Sequence, residues 1–187
     1  MLVFLDFEAS SLAKRSYPIE VAWVFEDGRS EAHLIRPADA WEDWDEAAEA
    51  IHHISHARLT AEGAGHDAVA RRMVEQLSGH DLLASAPSWD GKWLSVLLRA
   101  AGFPRHTLRL RASGDALREC AAAILSDVVA GEALAGAVED VIAPIEASGR
   151  QGSPAHRALP DALEERARWL AVRDAAAAMA RARAPGG

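Results

Sequence analysis

Leu2-Val3-Phe4-Leu5-Asp6-Phe7-Glu8 decides how this chain is read. Val3, Leu5 and Phe7 alternate with Phe4, Asp6 and Glu8, which predicts a strand with both acids on one face. Two carboxylates spaced this way can reach one divalent cation, or one of them can bridge two. Magnesium and manganese favour such oxygen ligands, and phosphate oxygens can complete their shell. A strand with one wet face has the same pattern. The strongly apolar flanks, however, make this an odd place for two charges.

Outward from that strand, Ser10 to Ser16 is a polar loop and Ile19 to Phe25 a second strand. Asp27-Gly28 signals a hairpin turn into a third strand, Glu31 to Ile35, closed by Pro37. Three consecutive strands imply an antiparallel meander. Helical spacing then takes over across Trp44 to His53, with Thr60 a cap or turn and Asp67 the cap of a helix through Leu77. Asp81 to Ala86 is short and nearly continuously apolar, which suits a buried parallel strand. A helix over Asp90 to Ala101 follows, stopped by Gly102 and Pro104. Thr107 to Arg111 reads as a further strand. Helices are expected over Asp115 to Val129 and Glu132 to Glu146, then a Gly/Ser/Pro loop from Ser148 to Pro154. A last helix runs from about Asp161 to Arg183, and residues 184–187 fray from it. The expectation is an α/β domain over residues 1–187, with a mixed five-stranded sheet (the antiparallel meander plus parallel strands) flanked by helices.

The composition narrows the class. The chain has 187 residues, half of them hydrophobic, which supports a sizeable core and excludes a disordered chain. The first residues meet an acid at once with no basic leader, and no apolar run approaches the roughly 18–20 residues of a membrane span. A cytoplasmic protein with no membrane partner is the expectation. One cysteine, Cys120, excludes an internal disulfide and a cysteine-cluster zinc site. A net charge of −8 argues against tight, non-specific binding of long nucleic acid. It does not argue against hydrolysing a short one, since metal-binding carboxylates contribute to the excess. Six tryptophans and the apolar content leave room for a homodimer face.

Three more residues suit the chemistry of the first strand. Asp90 follows an apolar strand where the chain turns into a helix, the end of an α/β sheet at which sites gather. A helix N-cap would use aspartate there equally well. His156 and Asp161 flank the start of the last helix. Asp161 could cap it, and His156 could take a proton from water near neutral pH.

With Asp6-Phe7-Glu8, Asp90 in Ser88-Trp89-Asp90, and His156-Arg157-Ala158-Leu159-Pro160-Asp161-Ala162 in this order, the chain resembles the DEDDh 3′–5′ exonucleases. That family includes the proofreading subunit of bacterial replicative DNA polymerase, RNase T and oligoribonuclease. Ile51-His52-His53-Ile54-Ser55 is similar to a family segment near the terminal nucleotide. The resemblance covers residues 2 to about 170 and implies an RNase H-like fold. It further implies that Asp6, Glu8, Asp90 and Asp161 hold two divalent cations, Mg2+ or Mn2+, with His156 as general base. The implied substrate is single-stranded nucleic acid or a short oligonucleotide, and Phe7, Ser10, Leu12, His52 and Trp89 are the candidate substrate contacts. Leu12 could instead be a core residue, His52 a surface helix residue, and Trp89 and Trp93 packing residues. Arg105, Arg109 and Arg111 with His106 read as charged protection of an edge strand or as a hold on upstream phosphates.

Two departures touch substrate choice and leave the carboxylates intact. Ala9-Ser10-Ser11-Leu12 stands where the family often has Thr-Thr-Gly-Leu. Ala86-Pro87-Ser88 stands where an asparagine usually precedes the second motif's aspartate. Two other readings therefore remain: a phosphoesterase acting on a small nucleotide, and a catalytically silent nucleic-acid-binding subunit on the same fold.

Overall fold

The computed structural model describes residues 1–149 and 156–183. Three strands, β1 (Leu2–Ala9), β2 (Pro18–Phe25) and β3 (Ser30–Arg36), form the meander. Helices α1 (Glu46–His52) and α2 (His56–Glu62) lead to a two-residue strand β4 (Ala64–Gly65) and helix α3 (His66–Leu77). Strand β5 (Asp81–Ala84), helix α4 (Pro87–Ala100) and strand β6 (Leu110–Ala112) follow. Three helices close the chain: α5 (Ser113–Leu125), α6 (Ala133–Gly149) and α7 (Ala158–Arg183).

The sheet has six strands in the order β4-β3-β2-β1-β5-β6, one more than expected. β1–β2 and β2–β3 are antiparallel, whereas β1–β5, β5–β6 and β3–β4 are parallel. The extra strand pairs Ala64 with Ile35 and Gly65 with Arg36. Two residues carry no alternation, so the pattern that reveals other strands is absent here. The neighbouring Gly63 is needed for this close approach: an added Cβ would lie 2.4 Å from the Leu59 carbonyl oxygen and 2.7 Å from the Arg36 nitrogen.

Alternation along β1 separates two cores. Val3, Leu5, Phe7 and Ala9 pack with Met73 and Leu77 of α3 and Leu94, Leu97 and Leu98 of α4. Phe4 packs on the opposite face with Leu117 of α5, Ile142 of α6 and Trp169 and Val172 of α7. Asp6 and Glu8 share the parity of Phe4 and so belong to the α7 face. All eight residues of β2 are buried. A sheet covered on both faces hides its central strands, so a continuous apolar run replaces alternation there.

Several boundaries differ from the sequence reading, each for a local reason. Ser55 caps α2 by accepting from the Arg58 amide, and Thr60 lies inside that helix. Asp67 lies within the first turn of α3 and pairs with Arg71, while Gly65 occupies the cap position. Pro87 opens α4, since proline lacks only an amide that a first helical turn leaves unpaired anyway. Asp90 is thereby placed inside the first turn rather than at the cap. Helix α6 continues past Pro144 and Ser148 to Gly149. The rest of the expected loop, and the tail from residue 184, lie outside the described residues. Among those described, no helix is long and apolar enough to cross a membrane.

Candidate metal centre

Asp6 and Glu8 project from the end of β1 towards α7, whose first turn carries Asp161. Each of the three offers a carboxylate oxygen, and these atoms lie within 4.8 Å of one another. Residues 155 positions apart thus meet because β1 is central in the sheet and α7 packs across it. Asp90 comes from the other side, on the first turn of α4, and is 2 % exposed. Its Oδ2 is buried without a hydrogen-bond partner among the described residues. An ionised oxygen in that state is costly unless a cation or a proton satisfies it.

The electrostatics agree with this grouping. Burial first, then the charges of Asp90, Glu8 and Asp161, push the Asp6 carboxyl up to about 9. Burial, Asp161 and Glu20 raise Glu8 to about 8, and Arg157 opposes them. Burial lifts Asp90 to about 7. Glu165, one turn beyond Asp161 on α7, adds to the repulsion at both Asp6 and Asp90. Its own carboxylate accepts from Ser113 Oγ at 2.6 Å and pairs with Arg168. Burial and mutual repulsion thus make the cluster keep protons that ordinary carboxyls have lost by neutral pH. The donor set, all carboxylate oxygens, suits hard divalent cations, which would offset the repulsion.

His156 stands immediately before α7 with φ 49°, a left-handed conformation uncommon for a residue with a side chain. What holds it there is the residue after it. Arg157 donates to both oxygens of Glu20, at 3.0 and 2.6 Å, and the Ala158 amide donates to the same carboxylate at 3.0 Å. Glu20 lies on β2 directly opposite Glu8 and is 4 % exposed. No motif marks Glu20 in the sequence. The available signal was one acid embedded in the apolar run Ile19-Glu20-Val21-Ala22-Trp23.

Beside the carboxylates is a pocket of about 260 Å³ lined by Phe7, Glu8, Leu12, Ile51, His52, Trp93 and His156, among others. Leu12 is 71 % exposed and Ile51 51 %, so both are rim residues rather than core. His52, in contrast, is only 2 % exposed. Its Nδ1 accepts from the Ile54 amide at 3.1 Å, which assigns the ring proton to Nε2. Nε2 is buried with no partner among the described residues, and burial lowers the imidazole pKa, favouring the neutral ring.

The other two expected contacts sit differently. Ser10 is fully buried and is not among the residues lining the pocket; Ser11 is. The Ser10 hydroxyl donates to Asp43 at 3.1 Å and accepts from the Tyr17 amide at 3.1 Å, so its single donor is used within the loop. Trp89 lies outside the pocket wall, stacked on Trp93 at 5.7 Å with the Lys92 ammonium 5.1 Å above its ring. Lys92 also donates to the Ala13 carbonyl and to Ser16 Oγ, and Trp93 Nε1 donates to the same hydroxyl. Helix α4 is thereby fastened to the β1–β2 loop that carries Leu12.

No family model matches the chain, and no curated protein sequence does. Solved structures do match it. The zinc-bound form of the E. coli ExoI–ssDNA complex is 19% identical with a TM-score of 0.62, covering 89% of this chain and 38% of that one. E. coli exonuclease I in complex with a dT13 oligonucleotide gives 19% identity and a TM-score of 0.62 over 89% of this chain and 39% of that one. A product-bound exonuclease I gives 18% and 0.63, over 92% and 43% respectively. The chain thus spans about two fifths of these structures' length. At such identity the likeness concerns the fold, which is the α/β, RNase H-like arrangement with a mixed sheet flanked by helices.

Proposed function

We propose that this chain is a metal-dependent 3′–5′ exonuclease that removes nucleoside 5′-monophosphates from single-stranded nucleic acid. The observation that carries the reading is the meeting of Asp6, Glu8 and Asp161 within 4.8 Å of one another, beside a pocket lined by Glu8 and His156. The DNA-bound exonuclease I structures of similar fold support it. Asp6, Glu8, Asp90 and Asp161 would hold two divalent cations, Mg2+ or Mn2+. Such cations, when bound, lower the pKa of water and stabilise the negative charge that develops on phosphate oxygens.

The chain's own residues account for the other requirements. The pocket receives the terminal nucleoside, with Leu12 and Ile51 against the base and Phe7 behind it. His52 offers Nε2–H as a donor beside the apolar residues Phe7, Leu12 and Ile51. His156 accepts a proton from the attacking water. The water oxygen bonds to phosphorus as the bond to the departing 3′ oxygen breaks. The Arg157–Glu20 pair anchors the backbone next to His156, which lines the pocket with Glu8.

The test is degradation of 5′-labelled single-stranded DNA and RNA, with a nucleotide-sized phosphodiester alongside, in Mn2+, Mg2+ or EDTA. A ladder that shortens from the 3′ end only with metal is expected. Hydrolysis of the small ester without any ladder would replace this reading with a nucleotide phosphoesterase. Binding of single strands without hydrolysis of either substrate would replace it with a silent binding subunit.

A further inference from the structure

On the other side of α4 from Trp89 and Trp93 lies a second open groove, of about 430 Å³, lined by Gly91, Leu94, Ser95, Arg105, His106 and Arg109 among others. No acidic residue lines it. In a chain of net charge −8 this is a local inversion of sign. Most other arginines are spent on carboxylates: Arg111, two residues along, is held by Asp81 and Glu119, Arg72 by Glu31 and Glu75, and Arg157 by Glu20. No ion pair involves Arg105 or Arg109 among the described residues; Arg105 donates only to the His106 ring, at 2.7 Å. The neighbouring arginine charges help depress the His106 pKa, after its desolvation. The charge is thus left without an internal counter-ion.

The placement says what could supply one. Gly91 directly follows Asp90, and an added Cβ there would meet nothing within 4 Å. The first turns of α4 therefore separate two depressions. Trp93 lines the pocket that also holds Glu8 and His156, whereas Gly91, Leu94 and Ser95 line the cationic groove. A strand whose end sits in the pocket would cross the carboxylate cluster, pass Asp90, and reach the arginines with its upstream phosphates. Arginine forks suit phosphate oxygens.

Resting on the exonuclease reading, we infer that the Arg105–His106–Arg109 groove is a binding site for the phosphate backbone of single-stranded nucleic acid upstream of the terminal nucleotide. It would make the enzyme prefer substrates long enough to reach it, despite the acidic surface elsewhere. Because neither arginine is paired with a carboxylate among the described residues, replacing them leaves no unpaired carboxylate behind.

The test compares wild type, R105A/R109A and R105K/R109K on a dinucleotide and on a ~12-nucleotide single strand, across a range of salt concentrations. Affinity for the same strand is measured separately by fluorescence anisotropy in Ca2+. The alanine variant is expected to lose kcat/KM on the longer strand by on the order of tenfold, through KM, with a much smaller loss on the dinucleotide. Its log–log salt slope should fall by about 1.4, roughly 0.7 for each lost phosphate contact on a single strand. The lysine variant should recover part of the affinity through charge alone. Equal losses on both substrates, or an unchanged salt slope, would overturn the inference. If wild type hydrolyses nothing yet binds the strand through these arginines, the groove stands and the exonuclease reading falls. If it neither hydrolyses nor binds, both fall.

Discussion

Arg157 and Glu20, 137 residues apart, form a two-pronged ion pair at 3.0 and 2.6 Å that ties the segment before the last helix to the second strand. Glu20 also takes the Ala158 amide, so three donors converge on one buried carboxylate. This fixes the chain on the C-terminal side of His156, in a backbone conformation it would not otherwise favour. Removing one partner of a buried pair is costly because the other is left charged and dry. Arg157→Ala should destabilise the fold by about 2–4 kcal/mol. Adding Glu20→Gln to that variant should recover part of the loss. Turnover should not return in the double variant, since His156 would remain unanchored. Denaturant melts and kcat for the single and double variants check this; full activity in the double variant would sink the positioning role.

The carboxylate cluster predicts a distinctive pH dependence of stability. Asp6 at about 9, Glu8 at about 8 and Asp90 at about 7 are all raised above the ordinary values of 3.8, 4.5 and 3.8. The folded protein therefore holds protons that the unfolded chain has already released. Stability from these groups is complete below about pH 4 and is lost as pH climbs towards 9. Metal competes with those protons, so its stabilising effect should grow with pH. Thermal melts at pH 6 and pH 8, with Mn2+ or EDTA, should show a larger metal increment at pH 8. Equal increments would contradict the idea that Asp6 and Glu8 are ligands.

Asp6→Asn should separate stability from function. It removes a carboxyl that must take up a proton on folding at neutral pH, so the metal-free variant should melt higher than wild type. It should also lose most of the Mn2+ increment and most turnover. A variant that melts lower in EDTA would show that Asp6 has a stabilising partner and is not a repelled ligand.

His156→Ala should behave in the opposite way. The metal-dependent melting increment should persist, while kcat falls by on the order of 10²–10⁴-fold, the usual contribution of a general base. Single-turnover kinetics in saturating Mn2+ would measure it. Near-wild-type turnover would move the base elsewhere.

Leu12→Asp tests the pocket with little risk to the fold, because Leu12 is exposed. A charged rim beside Glu8 should raise KM with the melting temperature unchanged. His52 is a poorer probe, since its loss would also strand the Ile54 amide that its Nδ1 satisfies, at a cost of about 1–3 kcal/mol.

How legible all this was depended on the range of the interactions. β1 was readable because its two faces meet different surroundings, and seven residues suffice to display the alternation. The hairpin was readable because Gly28, at φ 96°, takes a conformation that glycine tolerates. β4 was not, being two residues recruited by a neighbour. Asp90 and Asp67 stood one turn segment away from the caps their chemistry suggested, because Pro87 and Gly65 define those helix starts. In the site, the order of acids pointed to Asp6, Glu8, Asp90 and Asp161; the fold brings Asp6, Glu8 and Asp161 within 4.8 Å of one another, with Asp90 buried on α4. Ser10 could have donated a hydrogen bond to substrate; only the folded loop shows its one donor directed to Asp43. Glu20 was invisible because its role is defined by a partner 137 residues away.

The fastening of Lys92 and Trp93 to Ser16 has a consequence for selectivity. Two walls of the pocket, one from the β1–β2 loop and one from α4, are stapled to each other before any ligand arrives. A ligand then has little ordering to finance on entering. Such a cleft discriminates the way a gauge does, by rejecting what does not fit rather than by reshaping around what does. Ser16→Ala would remove two of the three bonds and leave only the Lys92–Ala13 carbonyl contact, loosening the gauge towards a glove that accepts bulkier terminal groups while gripping the right one less firmly.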